Sequence, residues 1–182
     1  MSLRIVAITI VALTLVASPL VRAEDQTTLM LADDQITAIK TNCVEAQSTL
    51  TRVFSNDVLT RVHLGGEYDT ISGKFMAPMN SRIALNKLDG VALAKTTLDF
   101  NNKLTDFREA YQQYKETMTK LTQMKCVDQP VAFYDTLTIA RADRAKVHDC
   151  VLSLNSLAKQ YQTQVRELKA KTATQSQGGT AS

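Results

Sequence analysis

The chain has 182 residues, with 21 Lys and Arg against 18 Asp and Glu, three Cys and no Trp. That length suits a single domain. The near balance of charge, with no basic face gathered in one element, argues against a nucleic-acid binder, and the absence of alternating apolar–polar stretches between turn clusters argues against strands.

The N-terminus reads as an export signal. Met1 to Arg4 supply one positive charge, Ile5 to Val16 form an apolar run, and Val21-Arg22-Ala23 ends on a small residue suited to signal peptidase. The run is short of the roughly 20 residues a spanning helix needs, and Pro19 breaks its end. No Cys follows it, which argues against a lipid anchor. Residues 1–23 are therefore expected to be a signal peptide, with an uncleaved N-terminal anchor as the rival and membrane association expected only in that case. Cleavage removes Arg4 and Arg22, leaving a near-neutral protein destined for the periplasm, cell surface or medium. Residues 24–90 hold 6 basic and 9 acidic side chains, whereas 91–126 hold 6 and 4. An acidic first helix beside mildly basic ones neutralises its neighbours rather than offering a nucleic-acid or membrane patch.

The first helix is predicted over about residues 28–87. Ile36, Ile39, Cys43, Ala46, Leu50 and Val53 open a seam after Asp33-Asp34. The apolar positions then shift through Phe54, Val58 and Val62 to Tyr68, Ile71, Phe75, Met79 and Ile83. Gly65-Gly66 interrupts this run and leaves two topologies: a turn there gives a four-helix bundle, and a continuous helix gives three. Continuous apolar spacing on both sides favours the latter. Two adjacent glycines cost about 2 kcal/mol of helix propensity, which packing can offset, and Pro78 is expected to bend the helix by removing one backbone bond.

The second helix, about 92–126, has the clearest pattern. Phe100, Leu104, Phe107, Tyr111, Tyr114, Met118 and Leu121 alternate steps of four and three, a heptad seam facing a partner helix. Asp89-Gly90 before it supplies a turn and an N-cap. The third helix, about 130–170, starts at Asp128-Gln129-Pro130, with Pro in the first turn where the missing N–H is harmless. Its seam runs Phe133, Leu137, Ala140, Arg144, Val147, Val151, Leu154, Ala158, Tyr161, Val165 and Leu168. Arg144, the one charge on this stripe, is expected to snorkel or to pair with an acid of the first helix. Residues 172–182 lack bulky apolar groups and are expected to form a disordered tail after a helical domain over 24–171.

The cysteines test the topology. Cys150 lies 20 residues beyond Pro130 on one helix, roughly 30 Å from its start, so it cannot meet Cys126, because a disulfide needs Cα atoms within about 7 Å. Cys43 and Cys126 lie 46 and 37 residues from the Asp89-Gly90 turn in the three-helix reading. That nine-residue mismatch is about 14 Å along straight helices, and kinks at Gly65-Gly66 and Pro78 absorb part of it. In the four-helix reading the two lie at opposite ends. A Cys43–Cys126 disulfide and three helices thus support each other, leaving Cys150 a spare thiol.

Candidate chemistry is sparse. His148, Asp149 and Cys150 are adjacent in sequence, but neighbours one and two apart on a helix point in different directions and form no dyad. His63 has Glu67 one turn later, an ordinary surface pair. Two separated histidines without Cys-x-x-Cys or His-x-x-x-His spacing make no zinc site. Met76-Ala-Pro-Met79 offers two thioethers and no histidine, which suits packing beside Pro78 better than a soft metal. The tyrosines at 68, 111, 114, 134 and 161 fall mostly on seams and read as core. No phosphate loop, nucleophile elbow or paired-carboxylate motif appears, so neither an enzyme nor a cofactor is expected.

Ile39-Lys-Thr-Asn-Cys43, the stretch from Met76 to Gly90, and Cys126-Val-Asp-Gln-Pro-Val-Ala-Phe-Tyr-Asp135 resemble a family of small, uncharacterised, exported helical proteins from host-associated bacteria with reduced genomes. The resemblance covers roughly residues 36–170. It implies an exported helical protein whose matching cysteines are Cys43 and Cys126, with Cys150 an addition, and it implies no activity. The resulting expectation is an all-α, elongated antiparallel three-helix bundle. It would act without catalysis as scaffold, spacer or protein-interaction module, with a periplasmic holdase chaperone or a membrane-tethered coiled coil as rivals.

Overall fold

The computed structural model describes residues 31–178. Residues 1–23, expected to be a signal peptide, the expected helix start at residue 28 and the last four residues lie outside that range. Among the described residues the structure is helical throughout, without strands. Helix α1 spans Asp33–Thr41, α2 Cys43–Thr70, a π-helix Ile71–Met76, α3 Ala77–Leu85, α4 Val91–Gln123 and α5 Pro130–Gly178. The first four follow one another almost without interruption and are called the arm; α4 and α5 form a hairpin.

The hairpin obeys its heptads. Phe100, Leu104, Phe107, Tyr114, Met118 and Leu121 are all buried, and Tyr111 is half-buried. On α5, Phe133, Ala140, Val147, Leu154 and Tyr161 are buried. Two flanking edges of α5 share the work, because a helix packed against two neighbours needs an apolar face wider than one seam. The edge carrying Leu137, Arg144, Val151 and Ala158 turns toward the arm. The other edge carries Thr136, Asp143 and Cys150, and it was not legible as core. Asp143 is only 2% exposed. Its carboxylate accepts from Thr117 of α4 at 2.8 Å and from Lys146 at 3.3 Å, which satisfies a charge that would otherwise be expensive to bury.

The arm runs antiparallel to α4 and parallel to α5. Moving along it, Asp57, Asp69 and Asn80 meet Tyr114, Arg108 and Thr97 of α4 in turn. The same progression meets Arg144, then Asn155, then Tyr161 of α5. Helix α2 passes through Gly65-Gly66 unbroken, so the turn of the four-helix alternative does not form there. Gly65 packs beside the edge of Phe107, which lies 3.9 Å from where a Cβ would stand.

The irregularity lies instead just ahead of Pro78. The Ala77 N–H donates to the Ser72 carbonyl five residues back. Pro78 cannot donate to the turn before it, and the wider turn accommodates the loss. One consequence corrects the predicted seam. The inward position after Ile71 is Met76, five residues on and 1% exposed, while Phe75 is turned out and 64% exposed. Val62 is likewise exposed, with Leu64 packed against the core in its place. The arm has a second break at Asn42, between α1 and α2.

At one end, Lys87 takes a left-handed conformation (φ 55°) between α3 and α4. Gly90 then caps α4 against Ile83, whose Cγ2 would sit 2.6 Å from any Cβ added there. At the other end α4 stops at Gln123, not at Cys126, and Met124 is extended (ψ 136°). The Cys43–Cys126 disulfide joins arm to hairpin at this end, with Cα atoms 5.7 Å apart. Between the Asn80–Thr97 and Cys43–Cys126 pairs, 37 residues of the arm run beside 29 of α4 and its exit. The wider π-turn fits an extra residue into the first path and so shortens it, and the extended exit at Met124, rising about 3.3 Å rather than 1.5 Å per residue, lengthens the second.

Helix α5 also runs further than expected. Residues 172–178, read as disordered from composition, continue the helix to Gly178. Once a helix exists, each added residue fixes one backbone conformation for one hydrogen bond, so a short polar extension needs no apolar contact.

Candidate functional site: a groove between arm and hairpin

The first half of the arm meets the hairpin loosely. From Val44 to Glu67 no side chain is fully buried, although Leu50, Phe54 and Leu64 rest on the core. Short side chains leave room: Ala46 and Val53 on α2 face Leu137 and Ala140 on α5. Tyr114 and Met118 of α4 also line the resulting groove, which has a volume of about 550 Å³. Asn42 and Glu45 stand at one end, toward the disulfide, and Arg141 and Arg144 at the other.

The arginine end is organised by Asp57. Its carboxylate accepts two hydrogen bonds from Arg144, at 2.7 Å from Nε and 3.0 Å from Nη2, and a third from the Tyr114 hydroxyl at 2.7 Å. Such a forked pair is both directional and charge-assisted. Burial alone would push the Asp57 carboxyl up, but the bonds from Arg144 and Tyr114 outweigh it and hold it below its ordinary value. Burial and the neighbouring carboxylate push the Tyr114 hydroxyl well above the tyrosine range. The Asp57 bonds hold Arg144 firmly protonated. The Phe54 ring meets Tyr114 edge-on at 6.2 Å and closes the cluster on one side. With every partner satisfied, Asp57 is a structural pin between arm and hairpin, and it answers the expectation for Arg144.

Beyond the pin lies a second cavity of about 430 Å³, lined by Arg61, Arg141, Arg144, Ala145 and His148. Arg61 sits one turn after Asp57 on the arm; Arg141, Arg144 and His148 are three and four apart and so share one face of α5. Asp57 engages Arg144, whereas Arg61 and Arg141 make no ion pair or hydrogen bond among the described residues. Sequence reading took Arg144 as a seam residue and His148 with its neighbours Asp149 and Cys150, and did not group them with Arg141 and Arg61. The 141–144–148 spacing was the available signal.

The other candidates are dispersed. Cys43 and Cys126 are joined. Cys150 is half-buried and lies near Lys103 and Asp106 of α4, while His148 faces the arginine cavity, so thiol and imidazole point apart. Burial also pushes the Cys150 thiol up, away from reactive thiolate. His63 and Glu67 form an exposed pair at 3.0 Å. Met76 is buried and Met79 packs against the core. Of the tyrosines, Tyr68 presents its ring edge-on to Phe100 and Phe107, at centroid distances of 6.1 and 5.8 Å. Among the described residues no three His, Cys, Asp or Glu side chains gather as a metal site, and no helix is long and apolar enough to cross a membrane. Compared with protein-family models, curated proteins and solved structures, the chain has no match.

Proposed function

We propose that this is an exported, non-enzymatic helical module that acts through its surface, as spacer, scaffold or partner-binding element. In this reading the arm counts as one irregular helix, and the whole is an elongated antiparallel three-helix bundle. The observation that carries it is the Cys43–Cys126 disulfide, which closes 83 residues and ties the loosely packed start of the arm to the hairpin. Disulfides persist in oxidising compartments such as the periplasm and the extracellular space, in keeping with the signal-like segment 1–23. The polar side chains that come together, Asp57, Tyr114 and Arg144, satisfy one another, which suits a structural joint better than a reacting group. The resemblance to exported helical proteins points the same way.

Intact mass of the protein from its native envelope, with and without reduction and thiol alkylation, tests the proposal. A chain beginning at Glu24, with two oxidised cysteines and Cys150 alone alkylated, is the expected result. Retention of residues 1–23 would indicate a tethered form, and three free thiols would remove the basis of the reading. Size-exclusion chromatography on the same sample separates the chaperone rival, which requires a stable oligomer.

A further inference from the structure

We propose that the groove between arm and hairpin binds a long-chain fatty acid, its acyl chain along Ala46, Leu50, Val53 and Leu137 and its carboxylate held by Arg61 and Arg141. This goes beyond the spacer reading and does not rest on it.

Charge arrangement gives the orientation. At the far end of the groove stands Glu45, with Asn42, so an anionic head is repelled there. At the near end Arg141 and Arg144 line the groove, and Arg61 joins them in the cavity beyond, three guanidinium groups against the Asp57 carboxylate. Asp57 forks Arg144 and also feels the charge of Arg61, but neither Arg61 nor Arg141 makes a hydrogen bond or ion pair among the described residues, and Arg141 lines both the apolar groove and the cationic cavity. An apolar groove that ends at Arg141, with Arg61 in the adjoining cavity and three guanidinium groups to the single Asp57 carboxylate, suits an amphipathic anion, because a guanidinium fork matches a carboxylate in shape and charge. Arg144, which lines both cavities, is held by Asp57 and does not bind the head itself.

Dimensions select a single chain. Asn42 to Val53 spans about 16 Å at 1.5 Å per residue, comparable to a myristoyl chain, and about 550 Å³ lies within the usual range for small-molecule sites. A stable protein interface takes about 20–30 residues from each side, against the twelve that line this groove.

Calorimetric titration of the purified chain with sodium myristate, below its micellar range, tests the site. The expected result is saturable one-to-one binding. Arg61→Gln with Arg141→Gln should weaken it by about tenfold or more, a loss of about 1.4 kcal/mol per factor of ten. Tetradecanol, which has the same tail without the charge, should bind correspondingly less tightly and be indifferent to the double substitution. Ala46→Trp, which fills the groove, should abolish binding of both, with circular dichroism confirming the fold. Should that variant unfold, the arginine pair decides alone, since neither side chain makes a bond the fold uses. The proposal is overturned if myristate does not saturate, if the alcohol binds as tightly as the acid, or if the double substitution changes nothing. It is equally overturned if the protein ignores monomeric myristate but sediments with phosphatidylglycerol vesicles, or if a partner protein occupies the groove and myristate does not displace it.

Discussion

The hairpin and the arm solve the same packing problem by different means. Between α4 and α5, large side chains recur at heptad spacing and interdigitate continuously, so the pairing is spread over many contacts. Along the arm, only Cys43, Tyr68, Met76 and Ile83 are fully buried, and attachment is concentrated at separate points. These are the disulfide at Cys43, the Asp57 pin, Tyr68 between Phe100 and Phe107, and the Tyr161 hydroxyl, 2.9 Å from Asn80 Oδ1 and 3.1 Å from the Met76 carbonyl. Distributed packing tolerates no gap, whereas point attachment leaves space between the points, and the groove lies in such a space.

The comparison breaks most decisively at the disulfide. Replacing Cys43 and Cys126 by Ser is expected to cost about 4.5 kcal/mol by chain entropy. Hydrogen exchange should then show the α1 and α2 amides losing protection while α4 and α5 keep theirs. Uniform loss across all the helices would mean that arm and hairpin fold as one cooperative unit. Phe100→Ala removes a fully buried ring of the hairpin and should cost about 3–5 kcal/mol in denaturant unfolding. Here the loss of protection should reach every helix, because the hairpin supports the arm.

Asp57→Asn tests the polar pin. Arg144 stays more than half exposed and can be hydrated, so a cost of about 1–3 kcal/mol is expected. The sign of the pH effect follows from the direction of the shift. A carboxyl held lower in the folded state contributes stability that is complete above its ordinary value of 3.8 and lost as pH falls through the lower folded value. The wild-type melting temperature should therefore fall more steeply than that of the variant below about pH 4, and parallel curves would deny Asp57 this role. The smallest effect sharpens the picture of α2. Gly66 has helical geometry and open space around its would-be Cβ, so Gly66→Ala should raise stability by about 0.5–1 kcal/mol. A destabilised variant would mean that flexibility there is used.

Much of the hairpin was readable because period and burial coincide when one straight helix faces another. The Phe100-to-Leu121 stripe needs nothing beyond 3.6-residue geometry. Asp143 was missed on α5 because a single seam cannot represent a helix with two neighbours. On the arm the pattern misled at Phe75, since a periodic reading assumes constant turn width and the π-turn before Pro78 adds one residue. Pro78 was the visible warning, but its effect was expected as a bend rather than as a change of register. The arginine cavity was half visible, as the 141–144–148 spacing on α5, but Arg61 joins it only through the pairing of arm and hairpin.

By itself the sequence determined the all-helical class and the hairpin's core, together with the candidate cysteine pair, because these depend on local periodicity and chain length. Only the tertiary structure decided that the helix passes through Gly65-Gly66, that Met76 replaces Phe75 inside, and that Asp57 forks Arg144 while Arg61 and Arg141 join no hydrogen bond or ion pair among the described residues. Each of these depends on which surfaces meet across tens of residues, where a one-residue change of register redirects every side chain that follows.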